Sequence, residues 1–338
     1  MAQTAAKPYL WLLLPLAVLL SAGVGSWQRG RIPTRADWQA ATDFVRQGLK
    51  PGDGVTWAPY TQGEGRLFFN DLPVFHTRDV STADLGRYDR LFLMGSLGVD
   101  ARRLPADDER LDHRTFGEVT VDLVRVGGPK VVGDLMASLE RATVRRLYKD
   151  GRTQLCDFWS GKGWHCDHRD PPELTRQCLG QSVANRLARK DKDPECGLDP
   201  FLHVSRDVRL IGDTPRHCIL YHPMANATVQ LEWTEAPAGD FLSIDSGFSD
   251  PMVADNYKKD LRVKPAALKV LRGGTLLAEL PVPAEKGWHH QELPLGGEAA
   301  PITFEISTTS TLDAHFCFDP TVRVRTRPAA DPASEAAK

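Results

Sequence analysis

V-Q-L-E-W-T at 229–234 decides how the second half of the chain is read. Val229, Leu231 and Trp233 alternate with Gln230, Glu232 and Thr234. Successive side chains of a strand point to opposite faces, so this is a half-buried strand with one apolar face. I-T-F-E-I-S at 302–307 repeats the pattern, and Ala314, Phe316 and Phe318 alternate in the same way. Within 268–277 the pair Gly273-Gly274 predicts a tight hairpin between two strands. Short strands with Gly, Pro and Asp turns, and no run of helical period, predict an antiparallel β-sandwich of jelly-roll kind over 217–325.

The cysteines belong to the same half. The chain has six, an even number, all beyond residue 150, which suits disulfides and an oxidising compartment. The pairing that keeps each bridge within its own segment is Cys156 with Cys166, Cys178 with Cys196, and Cys218 with Cys317. It is one of many connectivities that six cysteines allow. The last bridge would join the first and last strands of the sandwich and close a loop of about 100 residues. W-H-C-D-H at 164–168 holds zinc-ligating residue types, but no second C-x-x-C or H-x-x-x-H lies near, so the expectation is a disulfide and no metal. The segment 131–216 reads as a connector. It carries a Lys149-Asp150-Gly151 hairpin, Cys-bearing loops and a basic run, N-R-L-A-R-K-D-K at 185–192, that fits a solvated helix face.

Upstream, the apolar run 9–27, Y-L-W-L-L-L-P-L-A-V-L-L-S-A-G-V-G-S-W, contains no charged residue. Its length suits a transmembrane anchor, and its small residues Ser21, Ala22 and Gly23 suit a signal peptide; both readings place the rest of the chain outside the cytoplasm. Arg29, Arg31 and Arg35 after the run pull the other way by the positive-inside rule, and the cysteines outweigh them. Residues 1–8 form an N-terminal tail, and 326–338, rich in Ala, Pro and charge, a disordered C-terminal one. Net charge is -2 over 338 residues, which argues against a nucleic-acid partner.

Between anchor and connector, 34–130 reads as a small α/β domain. Thr34 is an N-cap with Asp37 in the first turn, and Trp38, Ala41, Phe44, Val45 and Leu49 make one apolar helix face ending near Gly48. Strands are expected at 55–57, 73–75 and 90–94, and E-V-T-V-D-L-V-R-V at 118–126 reads as an edge strand with one wet face. M-G-S-L-G at 94–98 lacks the first Gly of a nucleophile elbow, and no P-loop, H-E-x-x-H or G-x-G-x-x-G is present. The fold class expected is therefore α+β with two domains: a single N-terminal transmembrane helix, a small α/β domain and a C-terminal antiparallel β-sandwich.

Asp37-Trp38, Phe44-Val45, Pro51-Gly52-Asp53 and Tyr88-Asp89-Arg90-Leu91-Phe92 resemble the extracytoplasmic α/β domain of lipid-linked (GT-C type) glycosyltransferases, over about a third of the chain. The resemblance implies a shared compartment. Those enzymes need many spans and this chain has one, so no catalytic residue carries over and catalytic residues are unknown. Cys218, Gly247-Phe248, Gly287-Trp288-His289 and Phe316-Cys317-Phe318 resemble a galactose-binding-like jelly roll of carbohydrate-binding modules. That resemblance implies sugar binding through exposed aromatics and polar loops. The candidates are Trp288, Tyr257 and Phe248 for stacking, with Asp245, Asp250, Asp255, Asn256 and His289 for hydrogen bonding. Core residence is the alternative for Trp233 and Trp288, and turn chemistry for the aspartates. No cofactor is expected, though the three aspartates admit a structural calcium.

Three functions compete. The first is a membrane-anchored (or, if cleaved, secreted) extracytoplasmic binding or accessory protein of the envelope, with glycan as ligand and no enzymatic activity. The second is a structural subunit of an envelope membrane-protein complex. The third is an envelope glycan hydrolase using acids among Asp245, Asp250, Asp255 and Glu232.

Overall fold

The computed structural model describes residues 10–58, 64–69, 85–98, 109–166, 203–223, 225–254, 263–309 and 314–325. The chain forms two compact units, residues 1–80 with 88–127, and residues 81–87 with 128–338. Several expectations lie outside the described residues: Cys178 and Cys196, the basic run 185–192, the strand at 73–75, Asp255, Asn256, Tyr257 and the tail 326–338.

The apolar run is a helix, α1 (Leu10–Gly30), with Val18, Leu19, Leu20, Val24 and Trp27 exposed. Among the described residues no helix is long and apolar enough to cross a membrane.

In the first unit, α2 (Arg35–Gly48) begins on a complete capping box. The Asp37 N–H donates to Thr34 Oγ1 (3.2 Å), and the Thr34 N–H donates to Asp37 Oδ2 (2.8 Å), so two otherwise orphaned donors are satisfied reciprocally. One helix face buries Trp38, Ala41 and Val45 against a four-stranded sheet. The sheet is built from β1 (Asp53–Ala58), β2 (Arg90–Ser96), β3 (Glu109–Phe116) and β4 (Val119–Arg125), in the order β1-β2-β4-β3. A short helix, α3 (Glu64–Phe69), packs Phe69 into the same core. At the start of β1 and β2, Arg90 reaches both carboxylate oxygens of Asp53, at 2.9 and 2.5 Å, and pins the parallel register Asp53↔Arg90.

The expectation of an edge strand at 118–126 is corrected. β4 lies between β2 and β3 and buries Val119, Val121 and Val124. The edge is β3, E-R-L-D-H-R-T-F, whose charges discourage further strand pairing and whose sequence carries little apolar alternation to announce a strand.

The second unit is a β-sandwich. Its six-stranded sheet comprises β6 (Thr143–Tyr148), β7 (Thr153–Cys156), β12 (Ala227–Trp233), β14 (Ala266–Arg272), β15 (Thr275–Val282) and β17 (Ile302–Thr308), in the order β15-β14-β17-β12-β6-β7. The eight-stranded sheet holds β5 (Lys130–Asp134), β8 (Phe158–Trp159), β9 (Gly163–His165), β10 (His203–Ile211), β11 (Thr214–Tyr221), β13 (Phe241–Phe248), β16 (His289–Pro294) and β18 (Phe316–Val324). Its order is β16-β13-β18-β11-β10-β9-β8, with β5 also on β18. A one-turn helix, α4 (Asp250–Val253), follows β13.

The core joins the two sheets: Val229, Leu231, Trp233 and Phe304 from one meet Leu242, Ile244, Phe316 and Phe318 from the other. The Phe304 and Phe318 rings are 5.4 Å apart. Trp233 is thus a core residue, its Nε1–H donating to Ser138 O at 3.3 Å. Every strand pair in these sheets is antiparallel, as alternating apolar and polar positions predict. Gly273 and Gly274 both adopt left-handed φ, 55° and 81°, the geometry a two-residue hairpin needs. Strands β5 to β11 cover much of the segment read as a connector, and they are full members of the two sheets; β6 is interior, between β12 and β7.

Two disulfides are present among the described residues, Cys156–Cys166 and Cys218–Cys317, as the segment-wise pairing expects. The second links neighbouring strands, β11 and β18.

Candidate functional site

Alternation along β13 and β18 sends Leu242, Ile244 and Phe248, and Phe316, Phe318 and Val322, into the core. Their neighbours Ser243, Asp245 and Gly247, and Cys317, Asp319, Thr321 and Arg323, therefore occupy the opposite, outer face of the eight-stranded sheet. That face is polar and nonetheless buried, with Asp245 and Asp319 each 2% exposed.

The register places Asp245 directly across from Asp319 on one side and from His290 on the other. His290 Nδ1 lies 3.1 Å from Asp245 Oδ1, and His290 Nε2 lies 3.5 Å from Glu292 Oε1. The hydrogen bond to Asp245 raises the His290 pKa above its ordinary value against the opposing effect of burial, and Glu292 adds to the rise. Arg87 donates to Asp134 Oδ2 and to Asp319 Oδ1, both at 2.7 Å. Burial opposes the charge on Arg87, but Asp319 and Asp134 together outweigh it and hold its pKa well above the usual arginine value. Arg323 is pushed the other way, by burial first and then by Arg87, while its Nε–H donates to Thr321 Oγ1 at 2.9 Å.

Beside this network sits Trp288, half-buried against Ile211, Leu220 and the Cys218–Cys317 pair. Gly247 makes that approach feasible: a Cβ on it would come within 2.5 Å of Gly287 O and 3.4 Å of Trp288 Cε3. Three buried polar atoms of this face, Ser243 Oγ, Asp245 Oδ2 and Trp288 Nε1, have no hydrogen-bond partner among the described residues. Orphaned buried groups of this kind are uncommon in native proteins and cost about 1–3 kcal/mol each.

The structure thus brings Asp245 and Trp288 to one face and, among the described candidates, places His289, Asp250 and Phe248 elsewhere. Alternation turns His289 away from Trp288 and His290; its Nε2 is 4.0 Å from Glu285 Oε1. Asp250 is a turn clamp, its carboxylate oxygens accepting the Gly212 and Asp213 N–H groups at 2.8 and 2.7 Å. These two residues carry left-handed φ, 61° each, in the hairpin between β10 and β11. Phe248 is corrected as a stacking platform: it is completely buried, 5.5 Å from Phe316 in the sandwich core. Glu232 is paired with Arg145 at 2.9 Å on the six-stranded sheet, whereas Asp245 belongs to the eight-stranded one. Among the described residues no group of three or more His, Cys, Asp or Glu is arranged to hold a metal ion.

Arg87, Asp134, His290, Asp319 and Arg323 were not singled out from the sequence. F-C-F-D-P-T-V-R-V at 316–324 carries the missed signal, because Asp319, Thr321 and Arg323 share a period of two with the core residues between them.

No family model matches the chain. No curated protein matches it either. Among solved structures, it is similar to the second CBM51 carbohydrate-binding module with INT domains of Clostridium perfringens ZmpB, at 14% identity and a TM-score of 0.29, over 44% of this chain and 30% of that one. The chain therefore spans less than a third of that structure. It is also similar to CBM51 of a Clostridium perfringens GH95 enzyme in complex with methyl-galactose, at 10% identity, TM-score 0.24, over 36% of this chain and 73% of that one. A third similarity is to the tandem CBM51 modules of a family 98 glycoside hydrolase from Streptococcus pneumoniae, at 8% identity, TM-score 0.29, over 62% and 56%.

Proposed function

We propose that the chain is an extracytoplasmic binding protein of the cell envelope, anchored or exported through its apolar N-terminal segment, whose β-sandwich takes a glycan on the outer face of the eight-stranded sheet. One observation carries the reading: a half-buried indole with an unpartnered N–H lies on the same sheet face as the unpartnered Ser243 hydroxyl and Asp245 carboxylate oxygen. A sugar matches that set, offering a C–H face to an aromatic ring and hydroxyls that both donate and accept. His290, bonded to Asp245, fixes the carboxylate that would receive those hydroxyls.

The compartment rests on separate support. Two disulfides suit an oxidising environment, and the run 9–27 is free of charge. The likeness of the first unit's motifs at Asp37-Trp38, Pro51-Gly52-Asp53 and 88–92 to extracytoplasmic domains of lipid-linked glycosyltransferases supports the same side of the membrane.

The test is a glycan array on the full oxidised chain, followed by calorimetry on any hit. Binding that weakens at least about tenfold in Trp288→Ala, with an unchanged melting temperature, supports the site. A folded, oxidised protein that binds nothing on a broad array overturns it. Fractionation with mass spectrometry of the native N-terminus and thiols tests the compartment; free thiols in the native protein would refute it.

A further inference from the structure

Asp245 is held asymmetrically. Its Oδ1 lies 3.1 Å from His290 Nδ1, while Oδ2, on a side chain 2% exposed, meets no hydrogen-bond partner among the described residues. An ionised carboxylate accepts hydrogen bonds on both oxygens and donates none. A sugar hydroxyl or ammonium can therefore serve Oδ2, and a sugar carboxylate cannot. Ser243, two residues before Asp245 on the same face of β13, adds a buried hydroxyl that also lacks a partner among the described residues.

The cations around Asp245 are engaged by other groups. Arg87 donates to Asp134 and Asp319, both at 2.7 Å, and Arg323 donates to Thr321 at 2.9 Å. His290 lies between two carboxylates, with Glu292 Oε1 3.5 Å from its Nε2, so even when protonated it sets one positive charge against two negative ones. The face opens to solvent at the same place. β16 is the edge strand of the sheet, and its His290 and Glu292 side chains are 36% and 45% exposed. Trp288 immediately precedes that strand, and a Cβ on Gly247 would lie 3.4 Å from its Cε3. Asp245 and Gly247 are alternate residues of β13, about 7 Å apart, so a sugar ring on the indole has substituents within reach of Asp245.

We propose that this site selects its sugar by charge: it prefers a ring carrying a free amino group, whose ammonium donates to Asp245 Oδ2 beside the Trp288 indole, to the neutral forms of the same ring, and it rejects a uronic acid. The inference rests on the glycan reading of the site and names the class of sugar within it. A hydroxyl or acetamido group gives Oδ2 a hydrogen bond but no opposite charge. An ammonium gives both, where screening by water is weak. Drying the ammonium opposes the gain, but the wet edge at His290 and Glu292 limits that cost, and the face of the indole offsets part of it. A uronic acid brings a third carboxylate to Asp245 and Glu292 and has nothing to donate to Oδ2.

The experiment uses the full oxidised chain at pH 6, where amines are protonated. The probes are the methyl glycosides of glucosamine and galactosamine, their N-acetyl and 2-hydroxy counterparts, and methyl glucuronide and galacturonide. Binding is read by NMR at the Trp288 indole N–H, assigned with Trp288→Phe. The expected result is an amino sugar bound at least about tenfold more tightly than either neutral form, no shift with the uronides, and a preference cut to under about threefold in Asp245→Asn. Equal binding of amino and neutral forms overturns the charge inference and leaves the glycan site standing. A preference that survives in a folded Asp245→Asn does the same. Binding by none of these glycosides, nor by any glycan on an array, overturns both. Should Asp245→Asn not fold, the comparison of amino, N-acetyl and hydroxyl forms on the native protein decides alone.

Discussion

Removing the guanidinium of Arg87 should be the most damaging single polar change in the sandwich. Arg87 joins Asp134 and Asp319 by two charge-assisted hydrogen bonds of 2.7 Å, with the Asp319 side chain 3% exposed and that of Asp134 23%. Asp319 also faces Asp245 across β13 and β18, so loss of the cation sets two buried carboxylates against each other. Breaking a buried pair from one side typically costs about 3–5 kcal/mol, because the remaining charge stays desolvated. Arg87→Met keeps most of the side-chain volume and should lower the urea midpoint by about 1–2 M, taking a slope of about 2–3 kcal/mol/M. Asp319→Asn in the Arg87→Met background should recover at least about 2 kcal/mol, since it removes the uncompensated charge. Asp134→Asn, at the wetter end, should cost only about 1 kcal/mol. A loss below about 1 kcal/mol for Arg87→Met, or strict additivity with Asp319→Asn, would refute the reasoning.

Thr34→Ala should cost about 1 kcal/mol by opening the capping box of α2, read as reduced protection of the first-turn amides. Replacing Cys218 and Cys317 by Ser together should cost up to about 4.7 kcal/mol, since the bridge closes a loop of 99 residues; a non-reducing melt checks it. His290 has a raised folded pKa, so its contribution to stability is complete below its unfolded value near 6.5 and is lost as pH rises through the folded value. His290→Gln should flatten that alkaline-side decline in a pH series of urea melts. Phe304→Ala should cost about 3–5 kcal/mol, because its ring fills the space between Trp233 and Phe318 in the core. Leu276→Ser, on the exposed edge strand β15, should stay within about 0.5 kcal/mol in the same melts.

Local chemistry was legible wherever a few consecutive residues carried it. The Thr34 N-cap with Asp37 in the first turn, the Asp150-Gly151 and Gly273-Gly274 hairpins, and the alternation of Val229, Leu231 and Trp233 each have a short-range cause, and each appears in the structure. The bridge between Cys218 and Cys317 was legible too, from even cysteine count and segment. Of the candidate site, Asp245 and Trp288 come to one face, whereas Phe248 lies one register position on from that face and points into the core. An aromatic beside a Gly and an Asp looks the same in sequence whether it faces solvent or the core.

What the chain by itself determined is therefore periodicity where it is present: which residues alternate together, and where the chain turns. What only the tertiary structure decided is adjacency. That 118–126 lies inside its sheet, that β5 to β11 belong to the sandwich, and that Asp245 meets Asp319 and His290, are all facts of strand order. A period of two tells a strand which face to bury and says nothing about which strand lies beside it, because the backbone hydrogen bonds that join strands are the same for every sequence.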